Sequence, residues 1–211
     1  MKLTVFGATG GIGQEIVRQG LAAGHQVTAV VRDPARFTVT GAGLEVFTAA
    51  TFDDPEKLRP AVKGRDAVLS GIGPSSRKLA GFAGPVARSI LGAMDAEGVR
   101  RVVVVSAAPL GPVPRDEPLV GKLALGVVKA VLRPVYDDLA RMEAELARSG
   151  ADWTSVRPPQ LVDAPVTGVY RTVVDGNPRA GRRIGRGDVA HAMLAMVDDP
   201  ALVKRAVGVA Y

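Results

Sequence analysis

Residues 1–33, MKLTVFGATGGIGQEIVRQGLAAGHQVTAVVRD, decide how the rest of the chain is read. Lys2 to Phe6 is a short apolar run of strand character. Gly7, Gly10 and Gly13 follow at three-residue spacing. Next comes an amphipathic helix, with Ile12, Ile16, Val17 and Leu21 on one face and Gln14, Glu15, Arg18 and Gln19 on the other. Gly24 ends it, and His25 to Val31 is a second, valine-rich strand. Strand, glycine turn, helix and strand in this order make a βαβ unit.

A glycine-rich first turn inside such a unit is the part of a Rossmann fold that holds a dinucleotide. Gly7 lets the chain turn tightly out of the strand. Gly10 lets the backbone approach a pyrophosphate, and Gly13 lets the helix pack close to the sheet. The phosphates would sit on the helix N-terminus, where free N–H groups and the helix dipole favour negative charge. The fold expected is therefore α/β, a Rossmann-like doubly wound parallel sheet. The end of the second strand bears on the choice of cofactor. An acid there would bond a ribose 2′-hydroxyl, but the chain has Arg32, with Arg36 one helical turn later. Asp33 is one place too late and suits a cap. A guanidinium forks well onto a phosphate, so the cofactor expected is NADP(H). Two solvated surface arginines are the other reading of Arg32 and Arg36.

The 211 residues suit one domain, 1–211, with small substrate-side elements at about 109–135 and 157–185. At 47% hydrophobic the chain can bury a full core. It has no cysteine, which excludes disulfides, thiolate nucleophiles and zinc–sulfur sites, and only two histidines, so no metal centre is expected. The net charge of +6 is spread along the chain and aromatics are only 4%. Without a basic block or a stacking platform, nucleic acid is not the expected partner. The field suits anionic ligands such as NADPH. No signal peptide precedes the first strand, and the longest apolar run, Leu119 to Leu132, is broken by two lysines. A soluble cytoplasmic protein without membrane contact is expected, as a monomer rather than a homodimer.

Further along, Leu44 to Ala50 reads as a third strand. Asp53 then meets an adenine amino group, N-caps the helix Pro55 to Val62, or does both. Ala67 to Ile72 is a strand whose small end, Gly71-Ile72-Gly73, leaves room for a ligand across the sheet or forms an ordinary turn. Ser75 to Gly84 is a polar loop, and Pro85 to Glu97 a helix. Val102 to Val105 is a β-branched run expected to be buried on both faces. It ends in Ser106, which lies where nicotinamide and substrate should meet, or bonds local backbone. Four prolines make Pro109 to Pro118 a loop. Leu119 to Leu132 reads as a helix on the body or on a partner, and Val135 to Ser149 as the next helix. Trp153 to Val156 is a strand followed by Arg157-Pro158-Pro159-Gln160. Gly168 to Val174 is a strand, Asp188 caps a helix from Val189 to Val197, and Ala206 to Tyr211 is the last strand.

Together GATGGIG, VRDPARF, VVVVSAAP, DDLARMEAELARSGADWTSVRPPQLVDAPVTGVYR and IGRGDVAHAML resemble the atypical short-chain dehydrogenase/reductase group. The resemblance points to its NmrA-like and biliverdin IXβ reductase (flavin reductase, NADPH) branches, and runs from Met1 to about Pro200. It implies that Gly7, Thr9, Gly10, Gly11 and Ile12 hold the pyrophosphate. It matches Arg32 and Arg36 to the 2′-phosphate, Asp53 to the adenine and Gly71, Ile72 and Gly73 to a strand end beside the cofactor. Ser106 matches a serine near the nicotinamide, and Pro158 and Pro159 a proline pair lining the pocket. The Tyr-x-x-x-Lys pair of short-chain dehydrogenases is absent: Tyr136 is followed by Ala140 and Tyr170 by Val174. The two histidines associated with the biliverdin pocket stand as Leu139 and Gln160.

The activity expected is an NADPH-dependent reductase transferring hydride to a flat conjugated acceptor, such as a flavin, a quinone or a biliverdin-like tetrapyrrole. Ser106 would orient the carboxamide or the acceptor. Gln160 could bond the acceptor's polar edge, and Arg77 could attract an acidic tail or be a solvated loop charge. A redox sensor of the NmrA-like type, which binds the dinucleotide without turning it over, is the second reading. A nucleotide-sugar epimerase or isomerase is a weaker third.

Overall fold

Strands that are apolar on both sides are stable only where both faces of their sheet are covered, and this requirement organises the chain. The computed structural model describes residues 1–73, 81–114, 118, 126 and 128–211. The strands are β1 (Lys2–Phe6), β2 (Gln26–Val31), β3 (Leu44–Thr48), β4 (Ala67–Ser70), β5 (Arg101–Val105), β6 (Asp152–Arg157), β7 (Gln160–Val162), β8 (Arg171–Val174), β9 (Arg183–Gly185) and β10 (Arg205–Ala210). Eight of them form one sheet in the order β3-β2-β1-β4-β5-β6-β10-β8. All its neighbours pair parallel except β8, which runs antiparallel to β10. β7 and β9 form a separate parallel pair.

Two helical layers cover the sheet. On one face α1 (Gly11–Ala22) and α5 (Arg186–Ala195) bring Ile16, Val17, Val189 and Met193 onto Val5 and Val103. On the other, α2 (Pro55–Val62), α3 (Ala83–Ala96) and α4 (Arg133–Arg148) bring Leu58, Ile90, Met94 and Leu146 onto Phe6 and Val104. Successive valines of β5 therefore point into different cores, which explains the unbroken apolar run. The chain leaves β1 toward β2 on one side and reaches β4 on the other. A crevice opens at the carboxyl ends of strands where the order reverses in this way.

Several boundaries differ from the sequence expectation. Asp54, not Asp53, caps α2: its Oδ1 accepts from the Glu56 amide at 3.1 Å. Asp33 does cap the next turn, accepting from the Ala35 amide at 3.0 Å. The last long helix begins at Arg186 behind an uncapped Gly185, so Asp188 lies inside its first turn rather than before it. The strand expected from Gly168 begins at Arg171, because Gly168 takes a positive φ of 67°. The short pair β7 and β9 was not foreseen. Most of the Leu119 to Leu132 segment and of the Ser75 to Gly84 loop, including Arg77, lies outside the described residues.

Candidate cofactor and acceptor site

The glycine turn leaves β1 through Gly7, whose φ of 73° is open to glycine at little cost. The Gly10 amide donates to the Gly7 carbonyl at 2.9 Å and closes the turn. A Cβ on Gly13 would overlap the Gly7 carbonyl oxygen, and one on Gly71 would come within 3.1 Å of the Gly13 nitrogen. The first turn of α1 is thus wedged against the ends of β1 and β4 by backbone alone. α1 has no side-chain cap and no acid in its first turn. Its leading N–H groups have no partner within the helix, and among the described residues only the Gly7 oxygen, at 3.3 Å, approaches where a Cβ on Gly10 would be. This cradle fits a pyrophosphate: among the described residues the donors are free, the first turn carries no acid, and space is left by missing side chains.

The register places the remaining cofactor candidates on the same edge. Phe6 of β1 pairs with Val30 of β2, and Val31 with Thr48 of β3. Arg32 and Asp53 therefore follow strands that end side by side. Arg32 is exposed, with its guanidinium carbon 5.8 Å from the centre of the Phe82 ring. Arg36 is exposed in the short turn after it. Asp53 is exposed, and its carboxyl is held below the ordinary value mainly by the Thr51 hydroxyl. It follows Phe52, which packs edge-on against Phe6 at 5.9 Å. Gly71, Ile72 and Gly73 leave β4 beside the glycine turn, with Ile72 buried and Gly73 exposed.

Ser106 follows β5, its amide donating to the Val156 carbonyl at 2.7 Å. Its side chain is buried, and among the described residues Oγ makes no hydrogen bond of good geometry. The Ala108 amide donates to the Pro158 carbonyl at 2.8 Å, so Ser106 and the proline pair border the same space. Asn177 Nδ2 donates to the Ala108 and Pro112 carbonyls at 2.9 and 3.2 Å, fastening the loop after β5. Gln160 opens β7 and is exposed.

Sequence reasoning missed the charged group beneath Ser106. Glu143 of α4 takes a two-pronged bond from Arg157, with Nε at 2.9 Å and Nη2 at 2.6 Å, and a third from the Ser155 hydroxyl at 2.7 Å. Burial pushes the Glu143 carboxyl up, but Arg157, Ser155 and finally Ser106 outweigh it and hold it below the ordinary value. Glu143 is thus an ionised acceptor. Tyr136, near the start of α4, is half-buried, and burial pushes its phenol up. Tyr170 bonds His191 Nδ1 through its hydroxyl at 2.7 Å. Among the described residues no group of His, Asp or Glu side chains is arranged to hold a metal ion. Nor is any helix there long and apolar enough to cross a membrane. A depression of about 460 Å³ between α3 and α4 lies at the amino ends of the strands, away from this site. Its Arg88 and Arg100 are engaged by Glu145 and Asp152.

This glycine turn, on the parallel sheet that carries it, places the protein in a known class: the chain belongs to the NAD(P)H-binding family, whose sequence profile matches residues 7–200. Among its relatives is the uncharacterized sugar epimerase YhfK of Bacillus subtilis, 30% identical over 213 residues, spanning 98% of this chain and 92% of that protein. A (4-alkanoyl-5-oxo-2,5-dihydrofuran-3-yl)methyl phosphate reductase of Streptomyces griseus is 30% identical over 161 residues. That match spans 74% of this chain but only 46% of the reductase. The fold is shared with a short-chain dehydrogenase/reductase from Veillonella parvula solved in complex with NADP, at a TM-score of 0.80 and 21% identity. That match covers 100% of this chain and 94% of the other. The oxidoreductase YlbE of Lactococcus lactis superposes at a TM-score of 0.84 and 19% identity, covering 100% and 90%.

Proposed function

We propose that the protein is an NADPH-dependent reductase whose acceptor is a flat conjugated molecule: a flavin, a quinone or a biliverdin-like tetrapyrrole. The observation that carries this reading is the ion pair of Glu143 with Arg157 beneath Ser106. A carboxylate held ionised by Arg157 can orient the serine hydroxyl but has no proton to give. A site of this kind suits acceptors that take their proton from water, with the protein supplying position and water exclusion. Bound NADPH supplies the hydride. Ser106 orients the carboxamide or the acceptor, Pro158 and Pro159 wall the pocket, and Gln160 bonds the acceptor's polar edge. Arg32 and Arg36 hold the 2′-phosphate, Asp53 the adenine, and Gly7, Thr9, Gly10, Gly11 and Ile12 the pyrophosphate. Gly71, Ile72 and Gly73 line the cofactor's path across the sheet. The preference for NADPH rests on Arg32 at the end of β2, where Asp33 is turned into a cap.

The test is the loss of reduced nicotinamide absorbance with FMN, riboflavin, quinones and biliverdin as acceptors, with NADPH and NADH run in parallel. Turnover with NADPH and little with NADH is expected. Tight NADP(H) binding with no turnover on any acceptor would replace the reductase by a redox sensor. The similarity to YhfK along nearly the whole chain keeps sugar epimerisation as a second reading. Conversion of a nucleotide-linked sugar without net use of NADPH would establish it.

A further inference from the structure

Arg186, the first residue of α5, lies across the glycine turn. A Cβ on Gly11 would meet Arg186 Cδ at 2.6 Å and Nε at 3.1 Å. The arginine is therefore stacked directly on the backbone that begins α1. Both α1 and α5 start at the carboxyl edge of the sheet, so this guanidinium stands where two helix N-termini converge. Its ion-pair partner is Asp163, just past β7, at 2.6 Å from Nη1, and that carboxylate is 92% exposed. An ion pair with so exposed a partner contributes little and is easily exchanged.

We infer that Arg186 is a binding residue for the cofactor's pyrophosphate, parked on Asp163 until the dinucleotide arrives. This rests on the reading of the glycine turn as the dinucleotide site. A guanidinium presents a fork of donors that matches two phosphate oxygens. The dianionic pyrophosphate, seated on the free amides of α1, outbids a single solvated carboxylate for it. The handover releases the Asp163 carboxylate to water, while Thr167 and Gly168 farther along stay anchored on Asp188. The glycine at position 11 also gains a reason beyond the turn: any side chain there would displace the arginine.

Arg186 should act on every ligand that carries the diphosphate and ignore the 2′-phosphate. The affinities of purified wild type, Arg186→Gln, Arg186→Lys and Asp163→Asn are measured by calorimetry for NADPH, NADH, ADP-ribose and 2′-AMP. Arg186→Gln is expected to weaken NADPH, NADH and ADP-ribose together by about 10- to 100-fold, leaving 2′-AMP and the NADPH-to-NADH ratio unchanged. Arg186→Lys should recover part of the loss, and Asp163→Asn should tighten all three diphosphate ligands. Melting curves check that the variants are folded, and a folded Arg186→Lys keeps the test sharp if the glutamine variant is not. Unchanged affinities in a folded variant, or a loss confined to NADPH, overturn the inference. If wild type binds none of the dinucleotides, the reading of the glycine turn falls and this inference falls with it. If wild type binds them and Arg186→Gln binds them equally, only the role of Arg186 falls.

Discussion

Glu143 and Arg157 face each other across the α4–β6 contact as a nearly buried pair, with side chains 17% and 14% exposed and a closest approach of 2.6 Å. Removing the carboxylate leaves a guanidinium with little water to solvate it. Glu143→Gln is expected to cost about 2–4 kcal/mol, slightly below the range for fully buried pairs. Urea unfolding at neutral pH measures this.

The same pair has a pH signature. The folded carboxyl is held below its ordinary value of 4.5. Its contribution to stability is therefore complete above that value and is lost as pH falls through the lowered folded value. Unfolding free energies measured from pH 7 down to about 3 should fall more steeply for wild type than for Glu143→Gln. Parallel slopes would contradict the assignment.

Asp138 of α4 acts as a cap for a different helix. Its fully buried carboxylate accepts from the amides of Phe82, Ala83 and Gly84 at 3.1, 2.9 and 3.3 Å. α3 has no cap of its own. Asp138→Ala strands these donors and should cost roughly 2–4 kcal/mol, with Asp138→Asn intermediate. Thermal melts give the order directly.

Arg32→Ala should weaken NADPH by about 10- to 100-fold and leave NADH almost untouched, since on the proposed reading it removes one charge-assisted bond to the 2′-phosphate. Titration with the two cofactors checks it. Equal losses would mean that Arg32 supports the site as a whole.

Ser106→Ala should lower turnover by less than ~100-fold, the lower range for one positioned group. Steady-state rates with the best acceptor decide. A far larger loss would put Ser106 at the centre of proton transfer.

The β1–α1–β2 unit was legible because its signals are local: glycine spacing, one apolar stripe and the residue that ends a strand. The side-chain roles missed were non-local. Asp188 reads as a cap because an acid precedes an apolar run. In the fold it is fully buried and accepts from Thr167, Gly168 and Tyr211, so its partners come from other segments. Glu143 sits one turn past Leu139 on the core face of α4, and an acid at a core position was the available signal for its partner on β6. β7 and β9 are three residues each and meet only after twenty intervening residues, so no periodicity marks them. Asp53 and Asp54 are adjacent acids before Pro55, and composition alone could not choose the cap between them.

The β7–β9 pair stands outside the eight-stranded ladder, and on the proposed reading the stretch around it supplies Pro158 and Gln160 to the acceptor. Lengthening or shortening the links around this pair leaves the register of β1, β2, β4 and β5 as it is. On that reading the protein can be fitted to a new acceptor by grafting within residues 158–170, ahead of β8, while β1, α1 and β2 stay as they are.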